Sequence, residues 1–255
     1  MPLPCNEAAA VQILKVADGE PTDIADVVRK LTDLQAAVSD LQPLGAENPI
    51  ADFNHLYTII TERILTYQRN GGFNDPEFLT VLDIEFARRY FDALRQWATD
   101  SGDVPRSWTV LFSRYRDGRL RSLPCAVAGV NAHINYDLPF AVAATWRRLG
   151  FSGTGSPQHQ DFVRINEVFR DEIPALRRGY LGKWQRVLDT LNLNLDDWYQ
   201  NALVQLTRGK AWEHALNLWT LQDDRFATEL LRDALDHQTA TVGRLLLSRL
   251  GSFIQ

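Results

Sequence analysis

Residues 123–146, LPCAVAGVNAHINYDLPFAVAATW, carry a single charge, Asp137. The stretch is too apolar for a surface, yet Asn131, His133 and Asn135 stand around that acid. A buried carboxylate is costly unless it is hydrogen-bonded, paired with a cation or neutralised. Such a cluster in the middle of a chain either fixes the core or carries chemistry there.

At about 100° per residue, Val127, Val130, Asn131, Ile134, Leu138 and Val142 fall on one helix face. His133, Asp137, Phe140 and Ala144 fall on another. Neither face is charged, which predicts a helix over Leu120–Leu149 surrounded by others. Asn131 and Asn135 stand one turn apart, as do His133 and Asp137, so the members of each pair can touch or converge on one ligand. Pro139 cannot donate to the Asn135 carbonyl, and its ring crowds that turn. A kink or break there frees carbonyls beside Asp137, and such interruptions recur at functional positions. The structural alternative is that Leu138-Pro139 joins two packed helices whose ends the Asn, His and Asp side chains satisfy. Pro124, Pro139, Asp137, two Asn and a His also argue against a membrane span.

The rest of the 255 residues reads as helix almost throughout. Pro21-Thr22-Asp23 caps a helix over Ile24–Leu41. Others are expected over Ile50–Arg69, from Asp75-Pro76-Glu77 to Trp97, and over Pro105–Tyr115, with Pro76 at a favourable first position. Beyond the Gly150–Pro157 loop, helices follow over Gln158–Asp171, Ala175–Leu191, Leu195–Leu221 and Arg225–Arg249. No strand-like alternation and no fixed-period repeat interrupts them. The expected fold is one all-α domain spanning 1–255, a compact bundle of eight or nine helices around a buried, Pro-interrupted central helix. Residues 1–20 read as a loosely ordered N-terminus.

Seven Trp, seven Tyr and twelve Phe supply ample core. The net charge of −5 argues against nucleic acid, whose phosphates need a basic face. The one basic cluster, Arg114–Arg121 (RYRDGRLR), fits the edge of a loop better than an anion grip. Cys5 and Cys125 have no zinc-site spacing and point to a reducing compartment, with cytoplasmic location expected. The N-terminus lacks the pattern of a secretory signal.

Further polar groups share faces with apolar ones. Asn166 lies with Phe162, Ile165 and Phe169. Arg208 lies in a stripe with Trp212, Ala215 and Trp219, where indoles can hold a guanidinium and Asp137 is the candidate carboxylate partner. Asp83 borders the Leu82, Phe86 and Tyr90 face. His55 and Glu62 lie two turns apart on the polar side of their helix, opposite Phe53, Tyr57 and Ile60.

The run Gly129–Pro139 (GVNAHINYDLP) resembles the signature of the DUF5995 family of helical bacterial proteins. Asp161–Asn166 (DFVRIN), Arg208–Trp212 (RGKAW) and Phe86–Tyr90 (FARRY) resemble further family segments, and the likeness spans about Phe53 to Trp219. It implies the helical fold and the importance of the block, and it supplies no reaction. Its motif positions include Asn131, His133, Asn135, Asp137, Asn166, Arg208 and Trp212.

Three functions follow from these residues. The first is an enzyme with a mostly apolar pocket, acting on a small hydrophobic molecule by cyclisation, isomerisation or lyase chemistry. His133 would be its acid/base. Asp137 would orient His133, and Arg208 would balance Asp137 or bind an anionic group. Asn131, Asn135 and Asn166 would position substrate between Tyr90 and Trp212. No cofactor is required. The second is a metal-dependent hydrolase, with a divalent metal held by His133 and Asp137 and completed by His55, Glu62 or Asp83. The third is a non-catalytic scaffold or ligand carrier. Oligomeric state is not legible.

Overall fold

The computed structural model describes residues 7–39, 48–115, 117, 122–168 and 208–251. Every regular element among them is a helix: α1 (Glu7–Ala17), α2 (Ile24–Ser39), α3 (Pro49–Arg69), α4 (Pro76–Thr99), α5 (Arg106–Phe112), α6 (Ser122–Ala132), α7 (Leu138–Leu149), α8 (157–168), α9 (Arg208–Thr220) and α10 (Arg225–Gly251). The all-α expectation therefore holds. The helix expected over Ala175–Leu191 and the first part of Leu195–Leu221 lie outside the described residues.

The ends of these helices follow from local chemistry. Asn48 caps α3 through its side-chain oxygen, which accepts from Ile50 N at 3.0 Å. Its amide nitrogen donates to the Val38 carbonyl of α2 at 2.9 Å, so one side chain joins two helices. Asp75 caps α4 by accepting from Phe78 N at 2.9 Å, with Pro76 following at the first helical position. α7 stops at Gly150, whose φ of 101° is open to glycine and strained for other residues.

Two distant carboxylates complete the capping. Asp161 of α8 accepts from Asn74 N at 2.9 Å and Asp75 N at 2.7 Å at the start of α4. Asp236 of α10 accepts from Arg106 N at 2.9 Å and Ser107 N at 2.8 Å at the start of α5. Each places negative charge on a helix N-terminus and ties elements far apart in sequence.

Of the segment expected to be loose, residues 1–6 lie outside the described residues and most of the rest is helical. Residues 7–17 form α1, with Ala10, Ile13 and Ala17 buried. Lys30 of α2 is buried and donates Nζ–H to the carbonyls of Val16 and Asp18 at the helix end. A cation on those otherwise orphan carbonyls fixes a helix that apolar periodicity alone marks weakly.

The central run is one path in three parts: α6, a π-helical turn over His133–Asp137, and α7. Leu138 N–H bonds to the His133 carbonyl, five residues back. The cause is Pro139, which has no N–H for the Asn135 carbonyl and whose ring would crowd it in regular α geometry. The helix widens by one residue rather than breaking. α3, α4, α9 and α10 all contact this path, which is packed by a large apolar core and by a smaller cluster around Phe140, Ala143, Leu218 and Leu235. Among the described residues, no helix is long and apolar enough to cross a membrane.

Candidate functional site

The π turn holds a fully buried pair. His133 Nδ1 lies 2.8 Å from Asp137 Oδ2, and the same oxygen accepts the Trp108 indole Nε1–H at 2.9 Å. A carboxylate only accepts, so Nδ1 carries the proton and Nε2 presents a lone pair. Burial pushes the His133 pKa below its ordinary value. The hydrogen bond and charge of Asp137 pull it up, but they do not outweigh burial together with the positive charges of Arg208 and Arg89. The neutral imidazole, with Nε2 as acceptor, is the form favoured at pH 7.

Aromatic rings fix the plane of this imidazole. Phe86 stacks on it at 3.5 Å between centroids and 8° between planes. Tyr57 meets it edge-on at 4.7 Å, and Phe53 at 5.7 Å. Gly129, one turn before His133, lets α6 approach α3 closely. A methyl group there would collide with the Phe53 ring. The ring, the acid and the indole come from the π turn and α5. Asp236 secures α5, and with it the indole.

His133 lines a small cavity of about 40 Å³, which has room for roughly three water-sized groups. Most of its wall is apolar side chain from α3, α4 and the central path, such as Leu56, Ile60, Leu82 and Val130. The polar exceptions are His133, Tyr57, Asp83 and Arg208. His133 Nε2, Tyr57 Oη, Asp83 Oδ2 and Arg208 Nε are all buried without a hydrogen-bond partner among the described residues. Each such atom costs about 1–3 kcal/mol, so four on one cavity wall mark a place where the fold accepts a penalty.

Their protonation is also displaced. Burial raises the Asp83 carboxyl to about 7, with the Arg208 charge opposing the rise. Burial lowers Arg208 to about 9 against the charges of Asp83 and Tyr57. Tyr57 is pushed well up by burial and by Asp83, so it keeps its proton. Arg208 packs on the Phe162 ring at 4.5 Å.

Several sequence expectations are corrected. Among the described residues no ion pair joins Arg208 to Asp137. The acid whose charge acts on Arg208 is Asp83, and the charge of Asp137 acts instead on Arg89 of α4. The face of Arg208 is held by the Phe162 ring rather than by Trp212 or Trp219. Asn131 donates Nδ2–H to the Thr239 carbonyl of α10 at 2.9 Å, and Asn135 donates to Asn131 Oδ1 at 3.0 Å. These two amides bind helices together and do not line the cavity. Asn166 is half-buried and also outside the cavity wall. Trp212 is buried in a separate aromatic cluster, 5.0 Å from Trp146 and 4.9 Å from Phe162. Tyr90 packs against Phe53 at 5.0 Å and Trp108 at 5.1 Å, and it is not in the wall either.

The metal set disperses as well. His55 and Glu62 are exposed on α3, while His133, Asp137 and Asp83 are buried. Among the described residues, no three His, Cys, Asp or Glu side chains come together in a way that could hold a metal ion. Of the basic cluster, Arg114 is exposed and pairs with Asp117 at 3.4 Å.

Trp108, Phe86, Tyr57 and Arg89 belong to the site or its support and were not singled out as functional by sequence. Trp108 left one signal, since a buried indole N–H needs an acceptor and Asp137 is the lone acid of the central run.

A family model, DUF5995, described as a family of unknown function, matches residues 24–249. No curated protein and no solved structure matches the chain.

Proposed function

We propose that this chain, which belongs to the DUF5995 family, is an enzyme that moves protons on a small, mostly apolar molecule. Cyclisation, isomerisation and lyase reactions are the classes in view. The observation that carries this reading is an imidazole held through Nδ1 by a buried carboxylate, its other nitrogen unpartnered on a cavity wall.

In this reading His133 Nε2 takes a proton from the substrate and later returns it. The imidazolium formed in between is stabilised by the Asp137 carboxylate. The Trp108 indole donates to that carboxylate and holds it in place. Aromatic packing fixes the direction from which Nε2 approaches, and a positioned base of this kind contributes about 10²–10⁴ in rate. The volume beside Nε2 suits the reacting atoms and little more, which argues for a small substrate or a narrow reactive end. Proton transfer by these side chains draws on no cofactor. The reducing compartment read from the cysteines supports a cytoplasmic location in this reading.

The hydrolase reading is less favoured, because His55 and Glu62 are exposed and only Asp83 of its completing residues lies beside His133. The carrier reading keeps the cavity but gives no reason for an anchored imidazole with a bare nitrogen. The experiment is a metabolite extract incubated in D₂O with wild type or with His133→Ala, followed by mass spectrometry. Deuteration or conversion of a compound by wild type alone is the expected result. Identical extracts after both incubations contradict the proposal.

A further inference from the structure

We infer that the molecule handled at this site is a small carbonyl compound, its oxygen received by Arg208 Nε–H and Tyr57 O–H while His133 Nε2 takes a proton from the adjacent carbon. Asp83 is assigned as a second proton carrier. The inference rests on the acid/base reading of His133 and adds the chemical class of the substrate.

It follows from the four unpartnered atoms taken together. Tyr57, Asp83, His133 and Arg208 are each at least nine-tenths buried and line the same cavity. His133 Nε2 is the acceptor. Arg208 Nε–H and Tyr57 O–H are donors, and Asp83 donates in its protonated form. The complement is a group that gives up a proton on one side and gathers negative charge on an oxygen nearby. A carbonyl with an α-carbon does this and needs three non-hydrogen atoms, which suits a cavity of about 40 Å³. A simple alcohol would leave the donors competing for one weak acceptor. A carboxylate would satisfy Arg208 and Tyr57, but its α-protons are far less acidic, because its own charge opposes the dianion that their removal would form.

The step balances. The Cα–H electron pair becomes the C=C bond of an enolate, and the carbonyl π pair moves to oxygen, where the donors meet it. The proton returns to the same carbon, giving exchange. In a conjugated enolate Asp83 protonates the distant carbon instead, giving a shifted double bond, and the imidazolium then returns its proton to the Asp83 carboxylate through solvent. Nothing is oxidised or reduced.

The test is deuteration of acetone, the smallest ketone, in D₂O, followed by proton NMR, with melting curves to verify folding. Wild type is expected to label the methyl groups faster than buffer, and His133→Ala to abolish this. Tyr57→Phe is expected to slow labelling at least 10-fold. Arg208→Lys, which keeps the charge and loses the Nε–H fork, is expected to slow it further. If His133→Ala abolishes labelling while Tyr57→Phe and Arg208→Lys match wild type, the carbonyl inference falls and the acid/base reading stands. Wild-type labelling no faster than buffer, or tighter binding of acetate than of acetone, also overturns the inference. The extract experiment then judges the acid/base reading separately.

Discussion

Trp108 and His133 share one oxygen. The indole Nε1–H and the imidazole Nδ1 meet Asp137 Oδ2 at 2.9 and 2.8 Å. The two donors compete for the same lone-pair density, so α5 sets how strongly Asp137 supports a positive His133. Trp108→Phe keeps most of the packing and removes the second donor. It is expected to raise the His133 pKa toward its ordinary value and to lower stability by about 1.5–3 kcal/mol, the range for a hydrogen bond to a charged group. NMR titration of His133 and urea unfolding check both parts.

Asp137 separates charge from shape. Asp137→Asn preserves an acceptor for one donor and removes the charge. It is expected to lower the His133 pKa further and to reduce activity by about 10²-fold or more. Asp137→Ala strands the indole and imidazole N–H groups in the core and is expected to cost about 3–5 kcal/mol. Chemical denaturation distinguishes the two. Equal destabilisation by both would mean that the charge itself holds the fold together.

Asp83 gives a pH signature of opposite sign to an ordinary carboxylate. Its folded pKa is raised from 3.8 to about 7, so between these values the folded protein binds more protons than the unfolded chain. The contribution of this group is therefore intact below 3.8 and is lost as pH rises through about 7. Asp83→Asn mimics the protonated form. It is expected to be more stable than wild type by roughly 2–4 kcal/mol at pH 8, with the gain shrinking toward pH 4. Urea midpoints across that range measure it. A residue whose replacement stabilises the fold is one retained for another purpose.

Gly129 is the narrowest steric requirement near the site. A β-carbon there meets the Phe53 ring, which packs edge-on against both His133 and Trp108. Gly129→Ala is expected to destabilise by about 1–3 kcal/mol despite alanine's better helix propensity, because overpacking outweighs that gain. Phe53→Ala in the same chain removes Cγ and Cδ2, which the new methyl meets, so the double variant is expected to be less destabilised than the two single changes added together. Thermal and urea unfolding of the single and double variants check this.

Much of the centre was legible because helical periodicity and buried polarity act locally. The pairing of His133 with Asp137 and of Asn135 with Asn131 follows from four-residue spacing, and Pro139 foretold an interruption. The form of that interruption was not legible, since a neighbouring cage of helices decides whether a proline breaks a helix or widens it. Long-range partners were the larger gap. Periodicity put Arg208 on a buried face but could not choose between Asp137 and Asp83, which lie on different helices. It placed Asn131 inward without revealing that the Thr239 carbonyl waits there. It also missed α1, whose anchoring depends on Lys30, a residue that reads as surface until its carbonyl partners are known.

The central claim is that His133 offers a bare, unprotonated Nε2 to the cavity while Nδ1–H is held by Asp137. Long-range ¹H–¹⁵N correlation of the histidine rings at pH 7, with His133→Gln to assign the signal, reports each nitrogen directly. The expected result is a single neutral form with protonated Nδ1 and acceptor-type Nε2. A proton on Nε2, whether in the other tautomer or in an imidazolium, contradicts the account.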